Sequence, residues 1–303
     1  TQFALAFTYH IDQLRDRSRI EGCLAILDRI AEEDGLAYVR CFSDMMRYML
    51  ACHFGTEQQS LDAVHGLVPH AASGRPFDVG STHMGYAWHA VGARDAETAI
   101  RHARPLIDSW MKTGSLYHGI FSLIPLIWGL RRLGQTDAFE AQFERFSQLG
   151  AEAGMPVLEA GRLALATVRA MDHGNDAEAD RALAALMSLV AEHGCMYAVW
   201  LVPDLFVVLM MRAIRKGIEA GLAEEYLRKC TGWAFHPSSH DDEDWPWRVR
   251  IRSFGEFAVE VGGKPVAFAP KAPRRVLSLL KCIVAHGAKG VGQNWLVENL
   301  WPD

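Results

Sequence analysis

The chain has 303 residues, of which 50% are apolar and 22% are charged, and its formal net charge is −5 at pH 7. This composition is ordinary for a folded protein and excludes disorder over most of the length. The small negative charge excludes a global basic field, so any contact with nucleic acid has to be local.

No apolar run reaches the roughly 18 residues that predict a membrane span, and no export signal opens the chain. The six cysteines are scattered without a CxxC pair, which favours reduced thiols in a cytoplasmic protein. Because the chain starts at Thr1 without an initiator methionine, we expect it to be a piece of a longer protein.

Glycines recur at regular intervals in the first 235 residues and mark a sequence repeat. The repeat is clearest in the segments 90–114, 132–154 and 172–194. The opening glycines are Gly92, Gly134 and Gly174, and the closing glycines are Gly114, Gly154 and Gly194, at spacings of 40 or 42 residues. Weaker upstream matches are Gly55 for the opening series, and Gly35 and Gly74 for the closing series. Each segment carries an Ala-rich amphipathic pattern between two glycines, which indicates a helix closed by left-handed turns.

A unit of about forty residues holds two helices and two turns, and one such pair cannot bury its apolar face alone. The predicted fold of residues 1–235 is therefore mainly α, an α-solenoid of about five to six helix pairs. The unit resembles tetratricopeptide repeats but has a longer period and lacks their strict consensus. The alternative is an irregular helical bundle with accidental glycines.

The residue pattern changes after position 235. Residues 236–247 (HPSSHDDEDWPW) have the composition of a linker. Alternating apolar residues then predict strands over 248–254, 257–261 and 266–268, with a hairpin turn at Gly262-Gly263. Helices are predicted over 274–286 and 293–301. Residues 248–303 are thus expected to form a small α+β domain.

The segment from Trp245 to Asp303 resembles the start of an OmpR/PhoB-type winged helix. The resemblance rests on FGEFAVEVGGKPV, RRVLSLLKCIVAHG and LVENLWPD, and WPWRVRI is close to large bacterial regulators of the maltose-activator and antibiotic-regulatory type. It implies a partial winged-helix domain, because the recognition helix and wing of that family follow the LWPD element. It also implies an ATPase module upstream in the longer protein.

Together these features predict a signal-sensing or protein-interaction domain of a bacterial transcriptional regulator with a truncated DNA-binding domain. The alternative is a helical-repeat protein–protein interaction scaffold without DNA binding of its own. Expected partners are DNA, through the full-length protein, and a protein or small-molecule effector on the repeats. No membrane partner and no cofactor are expected. No enzyme is predicted either, since neither a GxxxxGK[ST] loop nor a nucleophile motif occurs.

Two sets of candidate contact residues follow. Lys271, Arg274 and Arg275 open the first predicted winged-domain helix and could contact DNA phosphates, although a solvated helix surface explains them as well. The candidates for a ligand or partner groove are His83, Tyr86, Trp88, Trp128, Tyr197, Trp200 and Asp204. Aromatic rings with polar tips suit such a groove, but aromatics at helical spacing are more often core residues. A metal site at His236, His240, Asp241 and Asp242 is weighed and disfavoured against a solvated linker.

Overall fold

The computed structural model describes residues 17–114, 116–230, 232–235, 245–247, 249–268, 274–287 and 290–301. Over these residues the protein is mainly helical, with a small three-stranded antiparallel sheet near the C-terminal end. The chain divides into two compact units, Thr1–Asp244 and Trp245–Asp303. None of the helices in the described ranges has the length and hydropathy that a bilayer-spanning segment requires.

The first unit, which we call the helical array, is a succession of helices joined by short turns. Its helices are α1 (Arg17–Glu33), α2 (Ala37–Phe54), α3 (Glu57–Ala71), α4 (Pro76–Gly92), α5 (Ala96–Lys112), α6 (Leu116–Phe121), α7 (Leu123–Arg132), α8 (Thr136–Ala153), α9 (Pro156–Asp172), α10 (Asp176–His193), α11 (Tyr197–Trp200), α12 (Pro203–Lys216) and α13 (Ala220–Lys229), followed by a 3₁₀ turn at Trp233–Phe235. Most consecutive helices pack against each other, whereas α11 packs on α9 and α12.

The predicted glycine turns are largely confirmed. All five closing glycines have left-handed backbone, with φ between +62° and +72°: Gly35, Gly74, Gly114, Gly154 and Gly194. Gly134 and Gly174 of the opening series are also left-handed, at φ +66° and +68°. A residue with a Cβ resists this conformation, which is why the helix ends are visible in the sequence.

Two members of the opening series were assigned wrongly. Gly92 is the last residue of α4, and the left-handed residue after that helix is Arg94, with φ +62°. The true turn positions Arg94, Gly134 and Gly174 are thus evenly spaced. Gly92 has another role, since a Cβ there would lie 3.0 Å from the Trp233 indole. Gly55 is extended rather than left-handed, and its carbonyl accepts a hydrogen bond from the Trp233 amide at 3.3 Å.

Prolines coincide with two interruptions in the succession of helices. The helix is interrupted at Ser122, between α6 and α7, because Pro125 has no amide hydrogen to donate to the carbonyl four residues earlier. The apolar pattern over 197–216 is likewise divided at 201–202, and Pro203 begins α12.

Contacts between distant helices enclose the core of the helical array. Helix α4 contacts α2, α7 and α12, and α12 also contacts α9. The 3₁₀ turn packs on both α2 and α12, which brings the end of the array onto one of its first helices. Large side chains with almost no exposure fill this core: Tyr48, Trp110, Trp128, Trp200, Phe146 and Phe206.

The C-terminal unit contains strands β1 (Val249–Arg252), β2 (Ala258–Val261) and β3 (Lys264–Pro265), and helices α14 (Arg274–His286) and α15 (Gln293–Leu300). The strands pair antiparallel in sequence order, with Val249 opposite Val261 and Glu260 opposite Pro265. The predicted Gly262-Gly263 turn is confirmed, since both residues have positive φ. The third strand lies at 264–265 and not at the predicted 266–268, because the two-residue turn places Lys264 directly opposite Val261.

Candidate functional site

The three tryptophans of the predicted groove are buried in the helical array. Trp88, Trp128 and Trp200 are exposed by 4%, 2% and 1%. Trp88 packs on Phe121 with ring centroids 5.5 Å apart, and the Trp200 indole donates to the sulfur of Cys230 at 2.8 Å. Their burial in the core contradicts the prediction that these rings face an open groove, and α4 and α7, which carry Trp88 and Trp128, contact each other. The side chain of Tyr197 lies outside the described residues.

Asp204 is the predicted groove residue that reaches an opening. The Trp128 Nε1 donates to both of its carboxylate oxygens, at 3.0 and 3.2 Å, which joins α7 to α12. The Leu205 amide donates to the same carboxylate at 2.8 Å, and Asp204 lies in the first turn of α12, where the helix dipole favours negative charge. With a side-chain exposure of 20%, Asp204 lies at the boundary between core and solvent.

Asp204 lines a cavity of about 340 Å³ that we call the arginine cleft. Its walls come from the α4–α5 turn and from helices α7, α9 and α12: Arg94, Arg131, Arg132, Val168, Asp204, Leu205, Val207 and Val208. The Arg132 guanidinium lies 5.9 Å from the Trp128 ring centroid and 3.9 Å from the nearer Asp204 oxygen. The cleft is thus lined by both charged and aliphatic side chains.

A second cavity of about 430 Å³ adjoins Arg131 and Arg132 but differs in charge balance. There Arg131 donates twice to Asp172, at 2.6 and 2.7 Å, and this pairing raises the pKa of Arg131. Arg169 donates to Glu140 at 2.9 Å. Because two of its three arginines are paired with the two carboxylates that line it, the second cavity has a smaller excess of positive charge than the arginine cleft and is a weaker candidate for a charged ligand.

His83 and Tyr86 form a separate cluster with His102, which the sequence reading did not single out. The Nδ1 atoms of His83 and His102 lie 3.0 Å apart, and the Tyr86 ring stacks on His102 at 4.8 Å. Burial lowers the pKa of both histidines, and each also faces the other. Neutral imidazoles fit this geometry, with one Nδ1–H donating to the other nitrogen. These residues do not line the arginine cleft.

The predicted DNA-contact residues lie partly outside the described residues. This applies to Lys271 and to the side chain of Arg274, whose backbone begins α14. Arg275 is exposed in the first turn of that helix. Contact between these residues and DNA phosphates stays a prediction.

Among the described residues no group of three His, Cys, Asp or Glu side chains is placed to hold a metal ion. The weighed cluster at His236, His240, Asp241 and Asp242 lies outside them. Two thiols of the helical array are poor nucleophiles, since burial raises the pKa of Cys41 to about 12 and of Cys52 to about 11.

Sequence reasoning missed the arginines of the cleft. Arg131 and Arg132 end a helix in a basic pair, which is common and carries little information by itself. Arg94 had a stronger signal, because it occupies a turn position that is glycine in the next two units, but the misplacement of Gly92 hid it. Comparisons with known protein families, with curated proteins and with solved structures found no match to this chain.

Proposed function

We propose that this chain is part of a bacterial transcriptional regulator that acts in the cytoplasm. In this proposal the helical array is an α-solenoid that receives a small-molecule effector or a protein partner. The C-terminal unit is the first part of a winged-helix DNA-binding domain. In that fold the helix that enters the major groove follows the element around Trp301, so DNA binding is proposed for the full-length protein.

The observation that carries the proposal is the order and surface of the C-terminal unit. A three-stranded antiparallel sheet is followed by two helices, as in the family that the sequence resembles. Apolar side chains of these elements are exposed by 43% to 57%: Val249, Val261, Val276, Ile283, Trp295 and Val297. Exposed apolar surface of this extent supports a domain whose core is completed by further elements.

The solenoid proposal is supported by the repeat of left-handed turns and by the stacking of consecutive helices. Each helix pair contacts its neighbours, as the repeat period leads one to expect. An effector bound between pairs would favour one arrangement of the array over another through its differential affinity for the two.

The test is DNA binding by the full-length protein, measured by fluorescence anisotropy with DNA fragments from upstream of its own gene and the adjacent genes. We expect salt-dependent binding. Replacing Arg275 by alanine should weaken it and reduce the salt slope by about 1, since one phosphate contact is lost. The matched control is Arg181→Ala, an exposed arginine on α10, which should leave both unchanged.

Absence of DNA binding at low salt would overturn the proposal and favour the interaction scaffold. Equal effects of the Arg275 and Arg181 substitutions would remove Arg275 from the DNA interface while leaving the regulator proposal in place.

A further inference from the structure

The arginine cleft has an excess of positive charge. Three arginines line it against one carboxylate, that of Asp204. The carboxylate already accepts hydrogen bonds from Trp128 and from its own helix, and Arg131 is held by Asp172 outside the cleft. Among the described residues Arg94 has no ion pair, and Arg132 has a long one, with its Nη1 atom 3.9 Å from the Asp204 Oδ2 atom.

Arg94 stands where the backbone favours glycine. Its φ of +62° is left-handed, and the equivalent turns after α7 and α9 use Gly134 and Gly174. A side chain disfavours this conformation, so the turn by itself gains nothing from an arginine. Among the described residues the Arg94 guanidinium forms no ion pair that would compensate. Residues with a strained backbone cluster at active sites and ligand-binding sites, and Arg94 lines the arginine cleft.

The remaining wall defines the rest of the ligand. Val168, Leu205, Val207 and Val208 present aliphatic surface beside the guanidinium groups. A volume of about 340 Å³ is at the lower end of the range for small-molecule sites. Guanidinium groups recognise carboxylates and phosphates through paired hydrogen bonds.

We infer that the arginine cleft binds a small organic anion. Its carboxylate or phosphate group would contact Arg94 and Arg132, and its apolar portion would pack on Leu205 and Val208. This inference rests on the proposed function, because it names the chemical class of the effector. The bound anion would bridge the α4–α5 turn, α7 and α12, which the chain places far apart.

The first experiment is isothermal titration calorimetry of the 303-residue chain with phenyl phosphate, benzoate and the neutral analogue benzyl alcohol. We expect at least one anion to bind and benzyl alcohol not to bind. The pair of anions distinguishes phosphate from carboxylate recognition. No binding of either anion up to about 10 mM, or equal binding of the neutral analogue, would overturn the inference.

Variants then assign the binding to the cleft. Arg94→Gly should lower affinity about tenfold or more without lowering the melting temperature, because glycine suits this turn. Arg132→Gln should lower affinity similarly, because it removes a guanidinium group from the cleft while retaining a polar side chain. Arg181→Gln is the control and should bind like the wild type. Unchanged affinity in both Arg94→Gly and Arg132→Gln would contradict the site.

The two proposals can fail separately. Anion binding that leaves the DNA affinity of the full-length protein unchanged would retain the cleft as a ligand site and reject the anion as an effector. DNA binding without any anion binding would retain the regulator proposal and reject the cleft.

Discussion

The helical array and the C-terminal unit differ in how far their large apolar side chains are buried. In the array, Trp110, Trp128 and Phe206 are at most 2% exposed, and inner helices contact each other over long sequence separations. Among the described residues of the C-terminal unit, Trp245 and Val259 are the buried apolar residues, whereas Phe254 is 97% exposed. The same chain thus contains one unit with an enclosed core and one whose apolar faces are open.

The difference indicates where the folding free energy of this chain resides. Burial of apolar surface is the dominant favourable term, and small units have too little of it for high stability. We therefore expect the helical array to unfold cooperatively on its own core and the C-terminal unit to contribute little to that transition.

The largest predicted effect comes from matched truncations of one aromatic residue in each unit. Trp110 packs edge-on against Phe77 at 5.2 Å and is stacked on His118 at 4.5 Å. Trp110→Ala should lower the free energy of unfolding by about 3–5 kcal/mol, because it leaves a cavity. Phe254→Ala should change it by no more than about 0.5 kcal/mol. The measurement is urea unfolding followed by helical ellipticity. Similar losses in both variants would mean that the contrast between the units is wrong.

Much of this contrast could be predicted from sequence. Left-handed turns need glycine locally, so Gly114, Gly154 and Gly194 revealed helix ends without knowledge of the fold. The Gly262-Gly263 hairpin and helix 274–286 were readable for the same reason, since short-range backbone chemistry determines them. Proline breaks such as that before Pro203 were missed because the apolar pattern continues across them.

The candidate site was less predictable, because it depends on contacts between distant residues. Trp128 and Asp204 were both singled out, but nothing in the sequence indicated that the indole donates to that carboxylate 76 positions away. Nor could the pattern distinguish a groove-lining tryptophan from a core one. Arg94 could have been found from the repeat, had the turn been assigned to it and not to Gly92.

The second prediction uses pH, because histidines with a lowered pKa lie in the helical array. Burial lowers the pKa of His118 to about 4 from the ordinary 6.5. The unfolded chain therefore binds this proton first, so stability is complete above about pH 6.5 and falls as the pH decreases toward 4. At about 1.4 kcal/mol per pKa unit, the loss from His118 approaches about 3 kcal/mol.

His118→Phe should remove this contribution while retaining a ring against Trp110. The measurement compares the free energies of unfolding of variant and wild type at about pH 7 and about pH 4.5. We expect the wild type to lose more stability than the variant. Parallel pH profiles would show that the His118 imidazole is not buried as described.

The smallest predicted effects come from substitutions at left-handed turns, two in the helical array and one in the C-terminal unit. Arg94→Gly should stabilise the helical array by about 0.5–1 kcal/mol, since relief of the left-handed side chain exceeds the added entropy of glycine in the unfolded chain. Gly174→Ala, with φ +68° and no atom within 4 Å of a new Cβ, should destabilise it by about 1 kcal/mol. Gly287→Ala, at φ +57° after α14, should leave the transition of the array unchanged. Urea unfolding measures the stability of all three variants. A loss of stability in Arg94→Gly would mean that the Arg94 side chain stabilises the fold through its own contacts, which would argue against a role in ligand binding.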